Sequence, residues 1–466
     1  MNYRAIVIVY LLFVSLASLA DNSVYYISST EGDAGNDGFT AKTPLLHISD
    51  IKEKKNITIR LKCDDVFFEN ISNFSDCIVE SYGKGNKPIL CGFKVLRNLN
   101  AWAYDEQIDC WKLDMLQEEN FVGMKADGVT NNVGCVYDEM HDKIYGRLLN
   151  SLEELIDDGD FYTTPKCDSK DVTSEDFRYI FFKYHSNPKV LGNLCFSVKK
   201  AGVSSMQNCT IRDIAVVGFG VHGMCALDHC IVENCDIDII GGSIQVGKCP
   251  WVRYGNGIEF YITSKPISDS LVKGCRISRT FDCGATIQGS GDNLGDAENI
   301  RFTNNRFINC RQAYEHFLQS SKSTAQYVNC SFDHNISLWA GDNQFGCAEQ
   351  RDAAVLSYEL QDKTCSITSN IFYGSNYYFG NKLPDGMMDN TVYIYSDQYL
   401  HHSHFKTHSM RVLYSGDDVA EYQKRTGDNS SITVLKRGSI KDRWLKWRIT
   451  RKIRWNKPQL HLERIL

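Results

Sequence analysis

The chain has 466 residues, enough for a large core in one long domain or two ordinary ones. Its 51 basic and 57 acidic residues leave a net charge of −6, so composition gives no global reason to expect a nucleic-acid partner. The 18 cysteines sit in a chain too long to need a disulfide scaffold, and none forms the CxxC pair of a zinc site.

Residues 1–20, MNYRAIVIVYLLFVSLASLA, combine Arg4, an apolar run and a small-x-small end. This pattern predicts a secretory signal cut before Asp21, and hence a secreted, periplasmic or cell-surface protein. No later segment is apolar enough to predict a transmembrane span.

Residues 21–100 read as an N-terminal cap and first coils. VYYISSTEGDAGNDGFTAKTPLLHISDI (24–51) gives a strand, a Gly/Asp-rich turn and a short helical cap, and the strand pairs that follow lead into SYGKGNKP (81–88). Residues 101–204 lack any repeat. Their aromatic strands, with an acidic helix-like piece SLEELIDDGDF, predict a β-rich insertion packed on the flank of the main body.

Residues 205–413 repeat. CTIRDIAVVGFG, CIVENCDIDIIGG, SLVKGCRISRTFDCG, NIRFTNNRFINC and CSITSNIFYGSN each hold an apolar pair, a polar break, a short apolar run and a Gly or Cys. Short period-two runs at this pitch, with no helical stripe between them, predict stacked parallel strands whose inward residues are buried only by the neighbouring coil. Cysteine beside asparagine, as at Asn208-Cys209, Asn234-Cys235, Asn309-Cys310 and Asn329-Cys330, fits a small buried filler. Asn-Gly hairpin turns are too rare for an antiparallel sandwich.

The opening stretch, the SYGKGNKP element and the repeats together resemble secreted right-handed parallel β-helix proteins of the pectate-lyase-like superfamily. The resemblance covers most of 24–100 and 205–380 and implies an all-β, single-stranded solenoid with a polysaccharide-binding groove. It is specific to the fold more than to an activity.

Stacking places equivalent positions ~4.8 Å apart. Aligning VHGM, GIEF, TIQG and AYEHF puts His222, Glu259, Gln288 and Glu315 in one outward column. Arg253, Asn256, Asp282 and Arg311 come from the turns before these strands, and Tyr314 lies beside Glu315. Gly255, Gly257, Gly284, Gly289 and Gly291 are expected to keep the surface low so that a polymer can reach exposed carboxylates.

For glycoside hydrolysis, Glu259 and Glu315 serve as an acid/base pair two rungs apart, with Asp282 as a nearer partner and His222 orienting them. Arg253, Asn256, Gln288, Arg311 and Tyr314 bind substrate. Elimination or C5-epimerisation of a uronate remains open, with Arg253, Arg311, His222 or Tyr314 as cation or base and Ca²⁺ held by the acids. It ranks second because no dense Asp cluster lies on the strands. A polysaccharide-binding or adhesin solenoid without turnover is the other alternative. The expected partner is a polysaccharide, acidic or decorated, met by a monomer; no cofactor is required for hydrolysis.

Residues 414–466 read as a C-terminal cap and tail. DDVAEYQKRTGDNSS predicts a helix and turn, and 436–466 carries 11 Lys or Arg against 2 acids, interleaved with Trp444, Trp447 and Trp455. The tryptophans are expected either to cover the open end of the solenoid or to dock on an acidic polymer or membrane. His401, His402, His404 and His408 read as a wet polar loop, with a metal site as the rival.

Overall fold

In the computed structural model, residues 23–126, 128–163, 173–247, 252–319, 325–341, 345, 353–358, 365–381, 388–402, 414–451, 458 and 460 are described. The signal segment, His404, His408 and Trp455 lie outside the described residues, as do the side chains of His401 and His402.

Each coil contributes strands to up to three parallel faces. The first face runs from Ser23–Ile27 through Ile57–Lys62, Ile78–Tyr82 and Thr210–Arg212 to the first residues of Ser366–Tyr373 and Met388–Tyr395. The second includes Ile89–Cys91, Ala215–Val217, Asp236–Ile240 and Arg276–Thr280. The third stacks Ile71–Ser75, Val203–Gln207, Met224–Asp228, Ile258–Ile262, Cys283–Ser290, Gln312–Gln319, Ala353–Tyr358, Tyr377–Asn381 and Tyr399–His402. This is the right-handed parallel β-helix that the repeats predict.

Register explains the core. Ile211, Val232, Val272, Phe302, Phe332 and Ile367 pair in succession on the first face and are all fully buried. One coil supplies the floor for the next, so apolar area leaves water only when coils stack.

The Asn-Cys pairs have a local cause. Asn208, Asn234, Asn309 and Asn329 adopt φ of 54°, 49°, 53° and 54°, the left-handed conformation asparagine tolerates better than most residues. The chain turns there, and the following cysteine points inward, where every one of these four is buried. Every cysteine among the described residues is a free thiol.

Further along, asparagines themselves turn inward. Asn305 donates from Nδ2 to Asn335 Oδ1 (3.1 Å), Asn335 likewise to Asn370 (3.1 Å), and Asn370 to Asn390 (2.8 Å). Each also binds backbone, so this buried ladder is satisfied as polar interior groups must be.

The chain leaves the second face after Cys91 and joins the third at Val203. Between them lie two antiparallel sheets. One joins Phe93–Leu96 to Phe121–Gly123, Cys195–Ser197, Val136–Asp138 and Lys143–Tyr145. The other pairs Cys110–Asp114 with Ala103–Asp105 and Tyr179–Phe182. The acidic piece forms only a 3-10 turn at Leu152–Glu154 rather than a helix. Phe93, Val95, Tyr137 and Cys195 share a core with Val217, Ile239 and Phe281 of the second face and its turns.

Helix Val419–Thr426 ends at Gly427 with φ 70° and is followed by Ser431–Leu435, the last strand of the second face. Helix Ile440–Arg451 buries Leu445 and Ile449 in a cluster with Leu338, Tyr373, Tyr395 and Leu435. Its tryptophans do not cover the solenoid: Trp444 is 50% and Trp447 56% exposed. Leu445, Ile449 and Asp442 occupy the inward stripe, which leaves the indoles on the opposite side.

Candidate functional site

The third face carries the candidate residues. Cys225 pairs with Glu259, Glu259 with Thr286, and Thr286 with Glu315. Glu259 and Glu315 therefore share one outward column two rungs apart, but its other members differ from the expected ones. Gln288 belongs to the neighbouring column, between Tyr261 and Phe317. His222 lies in the turn before Met224–Asp228.

Both still converge on Glu259. Asn256 Nδ2 and Gln288 Nε2 each donate to Glu259 Oε2 at 2.6 Å, and His222 Nε2 lies 3.4 Å from the same oxygen. The Asn256 backbone N–H donates to His222 Nδ1 at 3.1 Å. That bond requires a lone pair on Nδ1, so the network assigns the hydrogen to Nε2, facing the carboxylate. The imidazole also meets Tyr254 edge-on, with centroids 5.5 Å apart.

Asn256 faces the next coil as well. Its Oδ1 accepts from the Cys283 thiol at 2.9 Å, and the same sulfur lies 3.5 Å from Glu315 Oε2. Burial, then Glu315, Asp282 and Glu259, raise the Cys283 pKa well above that of an ordinary thiol, so it stays protonated and donates. Glu259, Asn256, Cys283 and Glu315 thus form a continuous polar string across the coils. Asp282 is half-buried beside it, and its carboxylate makes no hydrogen bond among the described residues.

Several expectations need correction. Glu259 and Glu315 are only 6% and 4% exposed, so they are not open groove carboxylates. Tyr314 is fully buried and stacks on Phe332 at 4.4 Å. Strand parity makes this unavoidable: adjacent residues point to opposite faces, so Tyr314 and Glu315 cannot both face outward. Arg253 is buried, donating from Nε to Gly242 O (2.5 Å), and from NH2 to Gly134 O (2.8 Å) and Gly146 O (3.2 Å). It fastens the insertion to the solenoid rather than presenting a cation to substrate. Arg311 is also buried, its guanidinium 5.7 Å from the Phe281 ring centre.

The glycines serve packing more than access. A Cβ on Gly257 would lie 2.5 Å from Gly284 O and 2.5 Å from Ile277 Cγ2, and one on Gly255 would lie 2.7 Å from Asp282 N. A Cβ on Gly284 would meet Phe307 at 2.5 Å and one on Gly289 would meet Ile262 O at 2.9 Å; only Gly291 opens on free space.

Four residues escaped the sequence reading. Thr286 occupies the rung between the glutamates and Cys283 links their networks, while Tyr261 and Phe317 flank Gln288 in the adjacent outward column. Tyr261 and Phe317 follow Glu259 and Glu315 by two residues, so strand periodicity was the available signal. Tyr261 is exposed and Phe317 half-buried, offering aromatic surface beside the polar string. Among the described residues, no group of three or more His, Cys, Asp or Glu side chains is placed to hold a metal ion. Among them too, no helix is long and apolar enough to cross a membrane.

No family model and no curated protein matches the chain. Among solved structures, the chain is similar to a GH136 lacto-N-biosidase from Eubacterium ramulus, with 11% identity over 92% of this chain and 69% of that one, TM-score 0.36. It is also similar to XylC in complex with xylose, with 11% identity over 88% and 82% and TM-score 0.39. A third is an endo-xylogalacturonan hydrolase from Aspergillus tubingensis, with 10% identity over 81% and 85% and TM-score 0.24. On its own strand topology, with parallel faces stacked coil upon coil in register, the chain is a parallel β-helix.

Proposed function

We propose that this protein is a secreted carbohydrate-active hydrolase that cleaves a glycosidic bond in an extended polysaccharide at the third face. The observation that carries the reading is the column Glu259–Thr286–Glu315, in which two carboxylates are linked by Asn256 and Cys283. Two rungs at ~4.8 Å separate their backbones by ~9.6 Å, which suits the roughly 6.5–9.5 Å carboxyl spacing of inverting hydrolysis better than the ~5 Å of retention.

In this reading Glu259, its Oε2 held by three nitrogen groups, is the base that activates water through Oε1. Glu315 or the half-buried Asp282 protonates the leaving oxygen. Gln288 and His222 position Glu259, and Tyr261 and Phe317 supply the apolar surface against which a sugar ring packs. No step needs a metal. Fold alone does not assign this chemistry; the residues on the face do.

A polysaccharide-binding solenoid without turnover is the second reading, favoured by the burial of both glutamates. The test is to incubate purified protein with a polysaccharide panel, following reducing ends and the ultraviolet absorbance of unsaturated uronates. Reducing ends alone support hydrolysis; both signals select elimination; neither signal, with binding retained, selects the non-catalytic solenoid.

A further inference from the structure

The helix Ile440–Arg451 presents two apolar stripes where a capping helix needs one. Leu445 and Ile449 pack against the outer side of the second face, on Leu338, Tyr373, Tyr395 and Leu435. At about 3.6 residues per turn, Ile440, Trp444 and Trp447 align on the opposite side. They are 82%, 50% and 56% exposed. Lys441 and Arg448 border this outer stripe on one side and Arg443 on the other.

The helix has one acid, Asp442, and that acid is turned inward. It is buried and accepts from Tyr373, from Tyr395 OH (3.0 Å) and from the Gly438 N–H (2.8 Å). The outward side thus carries Ile440, Trp444 and Trp447 with Arg451 among them and Lys441, Arg443 and Arg448 at the edges, and no carboxylate of its own helix neutralises it. The sequence continues with Lys452, Arg454, Trp455 and Lys457 in a chain whose net charge is negative.

We infer that this helix is a docking surface for an anionic lipid bilayer, lying in the plane of the headgroups with Ile440, Trp444 and Trp447 at the acyl boundary. An apolar stripe rich in tryptophan and bordered by Lys and Arg is the arrangement that binds such an interface. An acidic polysaccharide would supply the same negative charge but would need open ring faces for sugar stacking. Here Arg448 lies over the Trp444 ring at 5.2 Å and Arg451 over Trp447 at 5.4 Å. One face of each indole is thus taken by a guanidinium, which leaves less of the ring for a pyranose to stack on. This inference is independent of the chemistry on the third face.

The test is co-sedimentation of the full chain with vesicles of phosphatidylglycerol and phosphatidylcholine, compared with phosphatidylcholine alone and with soluble polygalacturonate in a gel-shift assay. Binding to the anionic vesicles, a blue shift of tryptophan emission, and weakening in 1 M salt are expected. The double variant Trp444→Ser/Trp447→Ser and the charge variant Arg443→Glu/Arg448→Glu should each bind at least tenfold more weakly. All four side chains point away from the core, so the thermal midpoint should match that of the unmodified chain. Equal vesicle binding by these variants, no binding to anionic vesicles, or binding to polygalacturonate alone would each overturn the bilayer assignment.

Discussion

Glu259 and Glu315 share one outward column of the third face, and Thr286 is the only residue between them on that column. Each is nearly inaccessible to solvent, yet their polar networks meet through Asn256 and Cys283. A buried carboxylate held by directed donors is sensitive to any change that reverses its hydrogen-bond polarity.

Replacing either glutamate by glutamine should therefore reduce turnover by orders of magnitude, but the two should differ in stability. Glu259→Gln sets an amide NH₂ against the nitrogens of Asn256, Gln288 and His222, costing about 1–3 kcal/mol if one donor is left unpaired. Urea midpoints beside reducing-end rates check this. Wild-type turnover in both variants would remove the pair from the chemistry.

Gly257→Ala separates packing from access. The new Cβ meets backbone at Gly284 and a core methyl of Ile277, so overpacking should cost about 1–3 kcal/mol. Were the glycine there to admit substrate, the variant would unfold at the same denaturant concentration and show only a raised KM.

Asn335 sits mid-ladder, accepting from the Asn305 backbone N–H at 2.9 Å and donating to Phe302 O at 3.0 Å. Asn335→Leu orphans both groups and should destabilise by about 2–6 kcal/mol, given roughly 1–3 for each unsatisfied buried group. Calorimetry would register the loss as a lower unfolding midpoint. A midpoint unchanged from the parent chain would mean that neighbouring asparagines re-pair.

His316 is fully buried between Tyr314 and Tyr327, with no hydrogen-bond partner for either ring nitrogen among the described residues. Burial lowers its pKa from 6.5 to about 3. The folded state thus prefers the neutral ring, and its contribution is complete above about pH 6.5 and lost as pH falls toward 3. The slope is at most ~1.4 kcal/mol per pH unit for one proton. His316→Phe should flatten the acid limb of the stability profile; parallel urea titrations at pH 7 and pH 5 that give equal losses in both proteins would refute this.

Much of the fold was legible because its rules are local. An Asn in left-handed conformation turns the chain, the next small residue points inward, and period two sorts faces, so the repeats of 205–380 announced parallel coils. The same periodicity placed Glu259 and Glu315 in one column, since two strands with clear apolar inward residues fix their own parity. It would also have turned Tyr314 inward had parity been applied to adjacent residues there.

Tertiary structure decided the rest. Gln288 moved to the next column because register depends on where each uneven loop re-enters the sheet, which no strand encodes by itself. Arg253 was captured by carbonyls at Gly134 and Gly146, more than a hundred residues away in sequence, and a guanidinium goes wherever unpaired buried oxygens await it. The link from Glu259 through Asn256 and Cys283 to Glu315 likewise exists only between coils. Short-range conformational preference determines what each segment is; long-range burial and hydrogen-bond satisfaction determine which side chains meet.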